Sequence, residues 1–290
     1  MPYAFFLLGK LRVNLDQQPV RGLESYKTQE LLAYLLLYPT RAHHREMLAS
    51  QLWGEVPTAK SLKYLRQALW ELQLVLPVVR VEADWIEFKA PEQFFSDVVV
   101  FDRAAARAEG RGGASLAPAE AGELHRAVQL YGDLLSGWQQ EWCLLERERL
   151  YNEYVLVLDK LMDFSLARQQ TEAGLAYGTR LLAYDWARES THRRMMRLYH
   201  QAGDRTAALR QYERCRVALK EELGIHPDHH TQALYEAIRD DRLEPVEDSP
   251  ADPASFPPSN LALELQRVQT LLLKLQRQVA RELRRLELPK

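Results

Sequence analysis

Lys63, Tyr64, Arg66, Gln67 and Trp70 lie within one short stretch of the chain and bring together cations, an amide and two aromatic rings. Side chains of these types can reach base edges and phosphates where a major groove lies against them. Their positioning element is readable beside them. Across Ser61–Leu76, Leu62, Leu65, Leu69, Leu72 and Leu76 recur at three- and four-residue spacing, so one stripe of a helix faces a core and the polar set faces away. An ordinary surface helix with a solvated basic face has the same pattern, so the setting of the helix has to decide between the two readings.

No other cluster supports catalysis. His226, His229 and His230 crowd into a loop and helix entry beside Pro227 and Asp228, with no cysteine or second carboxylate group near them in sequence, and read as surface histidines. Glu221 with Glu222, and Asp240 with Asp241, are adjacent in sequence and do not face each other as an acid and base pair would. The chain has no phosphate-binding glycine loop, nucleophile elbow or HExxH helix. The expectation is a protein that is not an enzyme and holds no cofactor or metal.

The composition is that of a soluble globular protein, with 47% hydrophobic and 27% charged residues in 290. A net charge of -2 means that any basic surface must be local. Cys143 and Cys215 stand far apart, which argues against disulfides and zinc fingers and for a reducing, cytoplasmic compartment. The opening MPYAFFLLGKL lacks a basic leader and a cleavage site and reads as a first strand; no apolar run is long enough to span a bilayer.

Tyr3 to Leu23 is short and strand-like, with turn chemistry between Asn14 and Pro19. Thr28 is placed to cap a helix through Leu37 that buries Leu31, Leu32, Leu35 and Leu36, and a second helix runs from Arg45 to Trp53. After the Ser61 helix, VVRVEADWIEFKA reads as a hairpin turning at Glu82-Ala83-Asp84. Sheet, three helices and a hairpin make a winged helix-turn-helix, whose third helix lies in the major groove. From Phe101 onward the pattern is helical: Ala104–Ala108, then Pro118 to Leu135, then Leu144 to Gln170, with Gly174, Gly203 and Gly224 as breaks. Tyr199, Gly203, Ala208 and Tyr212 sit at tetratricopeptide (TPR) spacing, where small residues let paired helices approach.

Residues 3–101 resemble the OmpR-type winged-helix domain of the Streptomyces antibiotic regulatory protein (SARP) activators, through LLGKLRV, YKTQELLAYLLL and REMLASQLWGEVPTAKSLKYLRQALWEL. Residues 97–241 resemble the bacterial transcriptional activator domain that follows it in that family, through the DVVVFD junction, LLSGWQQEWCLLERERL and the long run from His192 to Ile238. The resemblance implies that Lys63, Tyr64, Arg66 and Gln67 read bases, with Trp70 at the margin, Arg66 suiting guanine and Gln67 adenine. It also implies that Lys27, Arg41, His43, His44, Arg45, Lys60 and Arg80 meet phosphates. The hairpin departs from this pattern, since Glu82, Asp84 and Glu87 at its tip would repel a phosphate backbone.

A proline- and acid-rich stretch follows, and then a heptad pattern. With Leu265, Leu272, Val279 and Leu286 at a, the d positions are Leu261, Val268, Leu275 and Glu282, which fails once. This pattern favours a two-stranded coiled coil through Leu261, Leu265, Val268, Leu272, Leu275, Val279 and Leu286; the alternative is a helix folded back on its own chain. The expected fold is mainly α: an α+β winged helix-turn-helix domain over 1–96, an all-α TPR-like helical-repeat domain over 97–243, a linker over 244–259 and a C-terminal coiled-coil helix over 260–290. The expected function is a sequence-specific, promoter-binding transcriptional regulator, an activator acting as a homodimer, with RNA polymerase as a partner by resemblance and no membrane contact. The alternative is a TPR-type scaffold or ligand sensor whose winged helix binds protein.

Overall fold

The computed structural model describes residues 3–242. The linker over 244–259 and the heptad residues of 260–290 lie outside the described residues.

The chain opens with strands β1 (Tyr3–Phe6), β2 (Arg12–Leu15) and β3 (Gln18–Pro19), joined as an antiparallel meander with Phe5 opposite Val13. Asp16 and Gln17 both take positive φ, as a two-residue hairpin turn between right-twisted strands requires. Helix α1 (Tyr26–Leu37) follows, then the two-residue strand β4 (His43–His44), α2 (Arg45–Trp53) and α3 (Thr58–Val75). The hairpin β5 (Val79–Glu82) and β6 (Trp85–Phe88) turns at Ala83 and Asp84 and takes β4 on its far side, giving the order β4-β6-β5. Strand β7 (Phe94–Ser96) returns to pair in parallel with β1, so the first sheet runs β3-β2-β1-β7.

Two expectations for this region are corrected. Ser25, not Thr28, is the residue before α1; Thr28 lies inside the helix, 1% exposed, and its hydroxyl bonds Glu71. The sheet also has a fourth strand, β7, that carries no local signal because its partner is distant in sequence.

Helices α4 (Asp97–Arg107), α5 (Pro118–Leu130), α6 (Glu141–Ala167), α7 (Thr171–Tyr184), α8 (Glu189–Gln201), α9 (Arg205–Leu223) and α10 (His229–Arg239) complete the described chain. Each packs on its neighbour in sequence, as short connections between helices favour. Asp204 and Asp228 cap α9 and α10 by accepting from the Ala207 and Thr231 amides, and Gly224 closes α9 with φ +71. At the TPR-spaced positions Ala208 is fully buried, and Tyr212 stacks on Tyr235 of α10 with ring centroids 4.1 Å apart.

The helix opened by Pro118 ends at Leu130, short of the expected Leu135, because the segment after it pairs with the first sheet instead. The Leu135 amide donates to the Leu7 carbonyl at 2.8 Å, Ser136 to Gly9 at 2.7 Å, and Gly9 returns a bond to Asp133 at 2.9 Å. Gly174 is no break: it lies inside α7, where a Cβ would stand 2.7 Å from Leu198 Cδ1 of α8 and 3.1 Å from the Cβ of Ser165 on α6, so its missing side chain lets α7 approach both helices. The first helix after the winged-helix region starts at Asp97 rather than Ala104, capped by Ser96.

The sheet and the helical region are joined by a buried carboxylate. Asp97, 2% exposed, accepts from the Leu7 and Leu8 amides at 2.9 Å and from Val98 at 2.8 Å. Burial pushes its carboxyl above the usual range, opposed by those three amides.

Candidate nucleic-acid interface

Helix α3 is 18 residues long, about 27 Å at helical rise, enough to cross a major groove. Ser61, Leu65, Ala68, Leu69 and Leu72 are buried along one side, and this burial fixes the orientation of everything opposite. Lys63, Tyr64, Arg66, Gln67 and Trp70 all face out, Tyr64 at 40% exposure and Trp70 at 61%. Among the described residues no acid pairs with Lys60, Lys63 or Arg66, so three cations stand unneutralised along the first half of the helix. The N-terminus adds to them. Pro57 precedes the helix and supplies no side-chain cap, so the positive end of the helix dipole and its first amides face outward beside Lys60. Gln67 is already bonded: its Nε2 donates to Glu71 Oε1 at 3.1 Å.

The residues expected at phosphates divide. Arg41 is exposed without an acidic partner, and Arg45, half-buried, lies 3.9 Å from Asp84. His44 is half-buried, edge-on to Trp85 with centroids 5.4 Å apart. Arg80 lies 3.1 Å from Glu87 and 3.7 Å from Glu82. The three acids of the wing therefore each have a cation, which offsets the repulsion expected of them. Exposed pairs of this strength contribute about 0–1 kcal/mol, so a phosphate can take either arginine from its acid.

His43 is a correction, and Lys27 is already engaged by groups of the fold. His43 is only 6% exposed, set between the rings of Tyr34 and Tyr38 at 5.2 and 6.0 Å, and cannot reach a phosphate. Burial, with the nearby Arg41 charge, holds its imidazole below the ordinary value and so neutral near pH 7. Lys27 keeps its side chain 44% exposed, but its Nζ donates to the Leu52 carbonyl at 2.6 Å, pairs with Glu30 at 2.8 Å and sits 5.4 Å from the Trp53 ring centroid. Those contacts tie the end of α2 to α1 and occupy two of the three ammonium donors.

Helix α1 is in turn held from behind by α6 and the loop before it. Glu30, buried, accepts from Trp142 Nε1 at 3.3 Å; the Tyr38 hydroxyl donates to Glu146 at 2.7 Å; Tyr26 meets Gln140 and the Trp138 ring. Burial, and after it the hydrogen bond to Glu146, push the Tyr38 phenol well above its ordinary value. These contacts hold α1, on which α3 packs, against the helical region.

Four further residues belong to this surface and were not singled out from the sequence. Trp85, 51% exposed, stands on the outer side of the wing, and the period-two alternation around buried Ile86 was the signal for it; Val81, 37% exposed, shares the face of its cross-strand partner Ile86. Leu74, 66% exposed, lies one turn beyond Trp70 and continues its face. Glu71, which links Gln67 to Thr28, had no signal short of the packing of α1 on α3.

With this geometry in place, residues 96–239 match the family model of the bacterial transcriptional activator domain. The chain carries a bacterial transcriptional activator domain and is similar to the SARP-type transcriptional activators. It is 28% identical over 238 residues to the regulatory protein AfsR of Streptomyces coelicolor, covering 81% of this chain and 24% of AfsR. To the transcriptional regulatory protein MoaR1 of Mycobacterium bovis it is 24% identical over 251 residues, covering 81% of this chain and 78% of that one. The chain thus spans about a quarter of the first relative's length and most of the second's. Among solved structures it superposes on Mycobacterium tuberculosis EmbR, determined in complex with a low affinity phosphopeptide, with TM-score 0.68 and 21% identity over 84% of this chain and 66% of that one. That likeness establishes the shared fold. The SARP family's activity is transcription regulation and not catalysis. No helix among the described residues is long and apolar enough to cross a membrane.

Proposed function

We propose that this chain is a sequence-specific DNA-binding regulator, an activator that inserts α3 into the major groove at promoter repeats and contacts RNA polymerase. One observation carries the reading. On α3, Lys60, Lys63 and Arg66 face outward with no acid paired to them, whereas on the neighbouring α1 the one lysine is paired with Glu30 and bonded to the Leu52 carbonyl. Unneutralised cations beside an uncapped helix N-terminus on one face match what a phosphate backbone requires. In this reading Arg66 and Gln67 read base edges, Lys63, Tyr64 and Trp70 flank them, and Arg41, His44, Arg45, Lys60 and Arg80 position the duplex.

The domain division at 96/97, the cytoplasmic location and the pairing of two chains through 260–290 belong to the same proposal, the last resting on the heptad spacing alone. Pairing would make the second half-site encounter intramolecular. Deleting 260–290 is then expected to halve the mass in light scattering, and an unchanged mass would favour a folded-back helix.

The rival reading, a protein-binding winged helix, is favoured by the exposed Trp70 and Leu74. A salt series separates the two. Binding to a promoter fragment through several cations weakens steeply with salt, the logarithm of affinity falling by about 0.9 per phosphate contact for each unit of log salt concentration. A flat salt response, or no retardation of the fragment, would overturn DNA reading by α3.

A further inference from the structure

The strongest unassigned feature is a relay across the two helices. The Thr28 hydroxyl of α1 donates to Glu71 Oε2 at 2.6 Å, and Glu71 Oε1 accepts from Gln67 Nε2 at 3.1 Å. Thr28 is 1% exposed, so its end of the relay is fixed by packing. The Thr28 bond is the first cause, ahead of the Gln67 bond, that holds the Glu71 carboxyl below its usual range, so Glu71 is ionised under ordinary conditions.

An ionised carboxylate only accepts, so it selects which end of the amide faces it. The Gln67 nitrogen must face Glu71, since the flipped amide would set oxygen against oxygen. Its Oε1 and remaining N–H are thereby presented away from Glu71 on the exposed face of α3. An acceptor beside a donor is the complement of an adenine major-groove edge, with N6–H to Oε1 and N7 receiving the N–H.

We propose that Glu71, anchored by Thr28, is a positioning residue that holds the Gln67 amide in the orientation that selects adenine. The proposal rests on DNA reading by α3. It places one determinant of base preference on α1, a helix that touches no base, and it assigns a role to the Thr28 hydroxyl beyond packing.

The test is selection from a randomised duplex library by the full chain and four variants, with each variant's melting temperature recorded to show folding. Wild type enriches a motif, and Gln67→Ala identifies the column that Gln67 reads by abolishing adenine preference there. Glu71→Ala and Thr28→Val are expected to lower preference in that same column by roughly fivefold or more, from the value of one bidentate pair, leaving the other columns unchanged. Thr28→Ser, which keeps the hydroxyl, restores it. A merely structural role would weaken all columns together, and that result would overturn the inference, as would an unaltered column in Glu71→Ala. If wild type enriches a motif in which Gln67→Ala changes no column, the inference fails while DNA reading stands; if wild type enriches nothing, DNA reading itself fails.

Discussion

Helices α1 and α3 lie against each other in the same winged-helix unit and use their polar residues in opposite directions. On α1 and at the Tyr38 that ends it, Lys27, Thr28, Glu30 and Tyr38 each bond to another part of the fold: Leu52, Glu71, Trp142 and Glu146. On α3, Lys63 and Arg66 bond to nothing among the described residues. The difference is one of surroundings rather than composition. Helix α1 is covered on two sides, by α3 and by the helical region, so its polar groups must find partners or pay desolvation. Helix α3 has one open side. Residue type alone would rank Lys27 with Lys63, and packing separates them.

The largest effect that should expose this contrast is at the support of α1. Trp142→Ala removes a ring 5% exposed and leaves Glu30 short of a donor, and is expected to lower unfolding stability by about 3–5 kcal/mol in urea titrations. In DNA selection its motif should stay that of wild type. Lys27→Met strands the buried Glu30 carboxylate and is expected to cost about 1–3 kcal/mol of stability. Its salt slope for promoter binding should match wild type; a slope reduced by about one would make Lys27 a phosphate contact and break the contrast. Arg66→Ala is the converse, expected to lose about 1–3 kcal/mol of discrimination at one base. Its melting curve should lie within about 0.5 kcal/mol of wild type, as for an exposed residue without partners.

The smallest effect is on pH. His43 and His192 are buried, and burial is the chief cause that lowers both imidazoles below the ordinary value. Around His43 stand Tyr34, Tyr38 and Arg41, none of which stabilises an imidazolium. His192 donates from Nε2 to the Trp186 carbonyl at 2.8 Å and accepts at Nδ1 from Gln211 at 2.8 Å, an arrangement for the neutral ring. The unfolded chain binds these protons more readily than the fold, so their stability contribution is complete above about pH 6.5 and is lost as pH falls below it through the folded values. Thermal melts between pH 7 and 5 should fall, and His43→Phe should flatten part of that fall. An unchanged pH profile in that variant would show that burial at His43 is not what the acid acts on.

Much of this architecture was legible in the sequence where the signal is local. The leucine spacing oriented α3, α2 took the bounds Arg45–Trp53 that its flanking residues implied, and the alternation around Ile86 marked the hairpin. What escaped depends on residues far apart. Strand β7 has three residues and a parallel partner at the other end of the winged-helix unit, so no periodicity announces it. His43 and His44 look alike in sequence, yet pairing of β4 with β6 turns them to opposite faces, one between two tyrosines and one beside Trp85. The helix expected to reach Leu135 stops at Leu130 because backbone groups of Leu7 and Gly9 compete for the following segment. At the candidate site the exposed face of α3 was readable, and the pairing of Lys27 was not, because it requires knowing that Leu52 and Glu30 converge on it.

The parallel pairing of β1 with β7, and the carboxylate just beyond it, set a timetable for synthesis. Leu7 and its acceptor Asp97 are 90 positions apart, so at about 5–20 residues per second β1 emerges roughly 5–20 s before its partner exists. Until then one edge of the meander, lined by Tyr3, Phe5 and Phe6, is an open template for any passing strand. A fragment cut at residue 96 would keep β7 to cover that edge but leave the Leu7 and Leu8 amides without the group that receives them. The point where the two families of sequence pattern meet is therefore a poor place to divide the polypeptide: the first residue of the helical region is also the last residue the sheet needs in order to close.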